Sequence, residues 1–422
     1  MEEAPLEDST FTVCANGFLA GAHASTTHVT QGCVKRTPLP IDAAYRKTPR
    51  MAASHISSHP SNGSPSMTSS SRAPSPSVPP QSLAVVGTTL REHVLQGMHA
   101  APGATGEFTS LLNHLSLAIR IINSRVRSAG LHGLLGYTGE TNVQGEQVQK
   151  LDEFSNEVLI NVLERSGHCG VIASEEVDEV KFTEAKGKYV VLFDPLDGSS
   201  NIDTNVGIGT IFALLRRKTP RDTPSTEDAL RPGHEIACAG YALYGPSTVL
   251  TLSTGQGVHS FTLDPNIGEF FLSHPNIRCP MRGSCYSINE GNYARWSPQV
   301  QRWNQWIKGE DDPAKAPTGA KQTGRPYGHR YVGSLVADAH RTLLKGGIFA
   351  YPPDSKSPKG KLRLLYEANP MAFLFEQAGG AATDGTNRIL DVKPTEAHQR
   401  TPLVIGSAED VMTYRQFMTG ER

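Results

Sequence analysis

The stretch LFDPLDGSSN, residues 192–201, sets two aspartates, a proline, a glycine and two serines directly behind the apolar run KYVVL. That run reads as a buried strand ending on Asp194 and Asp197. A solvated turn needs neither this charge density nor this order. A second short strand, CGVIAS at 169–174, ends on Glu175 and Glu176. If the two strands are parallel neighbours, their C-terminal ends bring Glu175, Glu176, Asp194 and Asp197 into one crevice, where open α/β sheets bind ligands. Carboxylates this close do not all stay ionised without a cation. Oxygen-only ligands suit hard ions such as Mg2+ or Mn2+. Gly198, Ser199 and Ser200 then open a short helix whose first N–H groups can hold a phosphate.

Outward from this stretch, the pattern is helical on the N-terminal side. In EFTSLLNHLSLAIRIINSRVRSAG, apolar residues fall at 108, 111, 112, 115, 119, 122 and 126, one face of a helix that Gly130 can stop. A second amphipathic helix follows in QVQKLDEFSNEVLINVLERSG, with Leu151, Phe154, Val158 and Val162 on one face. It carries Asp152, and Glu146 lies just before it. Residues 237–275 alternate strand-like runs with turn residues, which predicts an antiparallel or mixed sheet. A second unit begins near Cys279, with a helix in SLVADAHRTLLKGG, a strand in GIFAYP and a helix opening at Asn369-Pro370 behind Glu367. The stretch from Lys308 to Thr323 reads as a surface loop.

At the other end, eleven of the 28 residues from Ala53 to Pro80 are serine and six are proline. Such a segment cannot bury enough apolar surface to offset its ordering entropy. Residues 1–84 therefore read as a disordered extension. Over the 422 residues, 40 basic and 41 acidic side chains leave a net charge of −1, so no global field favours nucleic acid or a membrane. No apolar run reaches the length of a membrane span. The first residues, MEEAPLED, lack the order of a secretory signal. Six scattered cysteines without a CxxC pair fit a reducing compartment. A cytoplasmic enzyme is the expectation.

The order strand, then D-P-x-D-G-[ST], resembles the sugar phosphatase and inositol monophosphatase superfamily. From about Thr105 onward the chain resembles the fructose-1,6-bisphosphatase family, through GKYVVLFDPLDGSSNID, AGYALYG, LDPNIGEF, SINEG, RYVGSLVADAHRTL and KSPKGKLRLLYEANPMAF. The resemblance implies an α+β fold of mixed elements, layered α-β-α-β-α. It implies an allosteric N-terminal half at 85–278 and a substrate-binding half at 279–422. It implies hydrolysis of the 1-phosphate of fructose 1,6-bisphosphate in a homotetramer using two to three Mg2+ ions per subunit, or Mn2+.

Residue by residue, the resemblance makes Glu146, Glu175, Glu176, Asp194, Asp197, Glu367 and the Leu196 carbonyl metal ligands. Asp152 and Glu176 take the proton of the attacking water. Asp197, Gly198, Ser199 and Ser200 meet the scissile end of the substrate. Asn289, Tyr293, Tyr331 and Tyr351 form the 6-phosphate pocket, with Gly333, Ser334 and Leu335 beside it. Arg330 reaches a neighbouring subunit's pocket, and Lys361 and Arg363 contact sugar and phosphates. The cation run Lys356, Lys359, Lys361 and Arg363 suits a doubly phosphorylated ligand. AMP, as an inhibitor, would contact Thr105, Gly106, Glu107, Phe108 and Thr109, with Lys188, Tyr189 and Arg216. An anion suits the start of that helix.

The chain departs from the family's pattern in places. Glu146 stands where an aspartate is usual, one residue is added after SINEG, and the 308–323 loop is longer. No cysteine-bearing insert lies between Lys218 and Ala237, so thioredoxin control by that route is not expected. The rivals are a sedoheptulose-1,7-bisphosphatase, a broader inositol or adenosine-bisphosphate phosphatase, and a silent metabolite sensor. RYVGSLVADAHRTL, KLRLLYE and the full set of acids argue against them in turn.

Overall fold

The computed structural model describes residues 87–99, 106–141, 147–220, 222–310 and 324–422. The 1–84 extension, Glu146, Thr105 and most of the 308–323 loop lie outside these residues. The polypeptide enters through helices α1 (Leu90–His99) and α2 (Glu107–Val126). A ribbon of β1 (Tyr137–Thr141) and β2 (Gln147–Gln149) leads into α3 (Lys150–Arg165). Strands β3 (Cys169–Ser174), β4 (Lys181–Phe182), β5 (Tyr189–Asp197), β6 (Ile208–Arg216), β7 (Cys238–Tyr244), β8 (Thr248–Ser253), β9 (Val258–Asp264) and β10 (Glu269–Ile277) form one sheet. Its order is β10-β9-β8-β7-β6-β5-β3-β4. β3 and β5 are parallel, and the other pairs are antiparallel.

Both faces of this sheet are apolar, and the period of two along each strand sorts them. Val191, Phe193, Phe212 and Leu214 pack with Leu111, Leu115 and Ile119 of α2 and Leu159 of α3. Val190, Leu192, Ile211 and Ala213 pack on the opposite side. There they meet α5 (Leu335–Lys345) and α6 (Asn369–Gln377), through Leu335, Val336, Met371 and Phe375. The same cluster reaches Phe349, Leu403 and Ile405, the inner face of a second sheet. That sheet has the order β12-β11-β13-β17-β15, from β11 (Cys285–Ser287), β12 (Gly328–His329), β13 (Ile348–Tyr351), β15 (Ala381–Thr383) and β17 (Leu403–Gly406). Its outer face, Ile348, Ala350 and Val404, packs on Trp303 of α4 (Pro298–Lys308) and Tyr414 of α7 (Ala408–Thr419). A ribbon of β14 (Leu362–Arg363) and β16 (Arg400–Thr401) flanks the inner layer. The layers run α-β-α-β-α, as the resemblance implies.

Two local readings shift. The fully buried stripe of α3 is Leu151, Ser155, Leu159 and Leu163, while Phe154, Val158 and Val162 are only partly covered. The anticipated face is thus turned by most of a residue, because α2 covers α3 from one side. α2 ends at Val126, short of Gly130, which sits in a following 3-10 turn. Among the described residues, no helix is long and apolar enough to cross a membrane.

Candidate active site

Strand periodicity alone would send Asp194 and Asp197 to opposite faces of the sheet, since they lie three apart. The register with β6 removes that conflict. Asp194 pairs with Ile211 and Asp197 with Gly209, so β5 carries one extra residue across Pro195 and Leu196. This is a β-bulge, a position where proline is tolerated in a sheet. It is pinned by the Thr210 hydroxyl donating to the Pro195 carbonyl at 2.8 Å and by the Leu196 amide donating to Asp194 at 2.9 Å. Both carboxylates then face one cleft.

Glu367 joins them from a π-helical turn, Leu364–Ala368, just ahead of α6, a distortion common at functional sites. Carboxylate oxygens of Asp194, Asp197 and Glu367 lie within 4.8 Å of one another, and all three residues are buried. Glu175 continues the parallel pairing beyond β3, its amide donating to the Phe193 carbonyl at 3.1 Å, and it shares a hydrogen bond with Asp194. Asp152, Glu176, Leu196, Gly198, Ser199, Ser200, Tyr331, Gly333, Ser334, Leu335, Tyr351, Lys361 and Arg363 complete the lining.

The electrostatics follow from crowding. Burial holds Glu175 and Asp194 well above the ordinary carboxylate range, and neighbouring acids add to it. Burial likewise pushes Glu367 up to about 7, with Arg363 opposing. Asp197 is raised less freely, because the N-terminus of α5 opposes its burial. It accepts from the Ser334 hydroxyl at 2.9 Å and the amides of Leu335 and Val336 at 3.3 and 2.8 Å, a favourable place for an anion. Gly198 lies so close to this terminus that a Cβ would come within 2.8 Å of Ser334. Its φ of 78° is also one that glycine adopts at little cost. Behind it a 3-10 helix, Ser199–Thr204, opens as expected. Gln149 donates to the Ser199 carbonyl at 2.7 Å, tying α3 and Asp152 to this loop.

The all-oxygen, partly uncompensated acidic cluster has the donor chemistry of a hard divalent cation site. One resident cation already lies in it. Arg363 places Nη2 2.7 Å from Glu175 and Nη1 3.8 Å from Glu367. The resemblance assigned Arg363 to the substrate, and its pairing with the acids was not foreseen. Of the cation run, Lys361 and Arg363 line the cleft, whereas Lys356 and Lys359 do not. Phe349 and Leu362 line it as well; as apolar strand residues they carried no signal.

Three expected substrate residues do not line this cleft. Asn289 caps the turn Glu290–Arg295, accepting from the Gly291 amide at 3.1 Å. Tyr293 accepts from Gln305 at 2.9 Å, and Arg330 is exposed, donating to the His329 carbonyl at 2.8 Å. Elsewhere, the expected effector residues gather in part. Lys188 lies 2.6 Å from Glu107, the rings of Phe108 and Tyr189 are 5.9 Å apart, and Arg216 pairs with Tyr189 across β5 and β6. Gly106, with φ 77°, precedes α2, and Thr109 is buried. Burial raises the Tyr189 phenol, with Arg216 opposing.

Family models described as fructose-1,6-bisphosphatase, N-terminal domain and C-terminal domain match residues 88–275 and 279–419. A class 1 fructose-1,6-bisphosphatase of Sorangium cellulosum is 58% identical over 347 residues, 82% of this chain and 97% of the relative. That of Chloroherpeton thalassium is 52% identical, covering 79% and 94%. The crystal structure of Leishmania major fructose-1,6-bisphosphatase in holo form is 41% identical with a TM-score of 0.73, over 80% of this chain and 100% of that one.

Proposed function

The chain belongs to the fructose-1,6-bisphosphatase family, class 1, and we propose on that premise that it hydrolyses the 1-phosphate of fructose 1,6-bisphosphate, a gluconeogenic step. The carrying observation is the convergence of Asp194, Asp197 and Glu367 on one buried point, beside the Gly198–Ser200 loop. The sequence similarity extends over residues 88–275 and 279–419.

Glu175, Glu176, Asp194, Asp197, Glu367 and the Leu196 carbonyl would hold two to three Mg2+ or Mn2+ ions, with Glu146 as a further ligand. Bound there, the ions supply Lewis acidity toward phosphate and lower the pKa of water. The amides of Gly198, Ser199 and Ser200 orient the 1-phosphate. Asp152 and Glu176 accept the proton of the attacking water. The water oxygen bonds to phosphorus in line as the bond to the C1 oxygen breaks, and that oxygen takes a proton from solvent to leave as the sugar hydroxyl. Lys361 and Arg363 contact the sugar and its phosphates, and Tyr331 and Tyr351, themselves hydrogen-bonded, hold the 6-phosphate; Asn289 and Tyr293, which do not line the cleft, would be further contacts at its margin. Exposed Arg330 serves a neighbouring subunit in a homotetramer.

AMP inhibits from the Glu107, Lys188, Tyr189 and Arg216 cluster. A cytoplasmic location suits the free cysteines Cys169, Cys238, Cys279 and Cys285. A substrate panel with Mg2+ tests the activity. The highest kcat/KM is expected for fructose 1,6-bisphosphate, and a higher value for sedoheptulose 1,7-bisphosphate, adenosine bisphosphate or inositol monophosphate would refute it.

A further inference from the structure

The two acidic segments of the cleft come from distant parts of the chain, and one side chain outside the cleft touches both. His398 lies in the loop before β16. Its Nδ1 is hydrogen-bonded to the hydroxyl of Tyr366. Tyr366 is fully buried in the π-helical turn, between Arg363 and Glu367 and next to the latter. On the other side, His398 Nε2 lies 3.1 Å from the Val177 carbonyl and 3.3 Å from that of Asp178. Those residues directly follow Glu175 and Glu176.

The network sets the tautomer. Nε2 faces two carbonyl oxygens, which only accept, so it carries the hydrogen. In the neutral ring Nδ1 is then a lone pair, which accepts from the Tyr366 hydroxyl. The ring thus bridges a carbonyl pair and a phenol, and neither end is interchangeable with the other. The surrounding backbone is held as well. The Leu364 amide donates to the Gln399 carbonyl at 2.7 Å, and Arg363 pairs with Arg400 across β14 and β16. At the near end of the acidic turn, the Ser174 hydroxyl donates to Asn156 at 2.7 Å. The turn is therefore fixed on one side by Asn156 and on the other by His398.

We infer that His398 is a positioning residue that sets the separation between the Glu175–Glu176 turn and the Glu367 turn, and through it the fit of the cleft to a divalent cation. It touches no reacting atom. Carboxylates on two independent turns would otherwise pay in ordering each time a cation bound, and groups behind the ligands commonly supply that order. The inference rests on the metal role proposed for Glu175, Glu176 and Glu367.

Mn2+ binding to the full-length chain, titrated calorimetrically without substrate, tests it. His398→Ala and Tyr366→Phe should each weaken Mn2+ binding, the former by about tenfold, the low end of effects from groups behind metal ligands. The double variant should bind no more weakly than His398→Ala, since both changes break one bridge. His398→Gln, whose amide can still donate to the carbonyls, should regain part of the loss. In kinetics the apparent Mg2+ requirement should rise more than kcat falls. A merely structural role would lower the melting temperature and leave Mn2+ affinity at the parent value, and that result overturns the inference. Should His398→Ala fail to fold, Tyr366→Phe decides alone, since it deletes a single oxygen. A parent chain that binds no Mn2+ would sink the proposed metal role and this inference with it; a binding parent with equally binding variants sinks the inference only.

Discussion

The Arg363 guanidinium lies 2.7 Å from the Glu175 carboxylate, with their side chains only 5% and 10% exposed. A buried pair of this kind is weak evidence of net stabilisation, but removing one partner strands the other charge. Arg363→Met should therefore destabilise the chelated protein by about 3 kcal/mol in urea titrations at alkaline pH, where the Glu175 carboxyl that burial holds high is ionised. Saturating Mg2+ should recover part of that loss, because a cation binding only the folded chain stabilises it. A loss below about 1 kcal/mol, the range of exposed pairs, would show that Glu175 does not depend on Arg363.

The metal-free chain should lose stability as pH rises. Glu367 has an ordinary value of 4.5, and burial pushes it up to about 7; Glu175 and Asp194 move the same way. A carboxyl raised in the folded state favours folding most where it is protonated, below its unfolded value. That contribution fades from about pH 4.5 to about 7 for Glu367. Melting temperatures in chelator should fall across this window relative to those with excess Mg2+. Parallel curves would contradict the proposed cluster.

Asp197→Asn keeps an acceptor for the α5 amides but removes a charge from the metal cluster. Phosphate release at saturating Mg2+ should fall by at least about a hundredfold. The circular dichroism spectrum should stay that of the parent. Near-normal turnover would remove Asp197 from the ligand set.

Truncation at Ser82 should leave a soluble enzyme with kcat and KM changed by less than about twofold, since a Ser/Pro-rich segment contributes no core. None of the proposed site residues lies in that segment. A large fall in turnover of a correctly assembled product would refute this.

AMP at millimolar concentration should inhibit without competing with substrate. Lys188→Ala should raise the AMP needed by about tenfold, the loss of one charge-assisted contact to phosphate. Inhibition as strong in the variant as in the parent would discard the effector site at Lys188.

Much of the cleft was readable because its signals are local. Strands ending on acids, D-P-x-D-G-[ST] and the Asn369-Pro370 helix start each sit within a few residues. The parallel pairing of β3 and β5, only a condition in the sequence, is supplied by the structure. What was not readable depends on contacts far apart in sequence. Asp197 meets α5 at residues 334–336, and Arg363 finds Glu175 across the cleft. The bulge at Pro195 and Leu196 depends on register with β6, and the true buried face of α3 depends on how α2 covers it. Helical periodicity names an apolar face but does not say which part of it the neighbour reaches.

The most direct measurement is phosphorus-31 NMR of fructose 1,6-bisphosphate incubated with the full chain, with Mg2+ and then with excess chelator. With Mg2+ the 1-phosphate resonance should disappear, giving equal amounts of inorganic phosphate and fructose 6-phosphate, and chelator should stop the conversion. Loss of the 6-phosphate resonance instead, or conversion that continues unchanged in chelator, would contradict metal-dependent hydrolysis at this cleft.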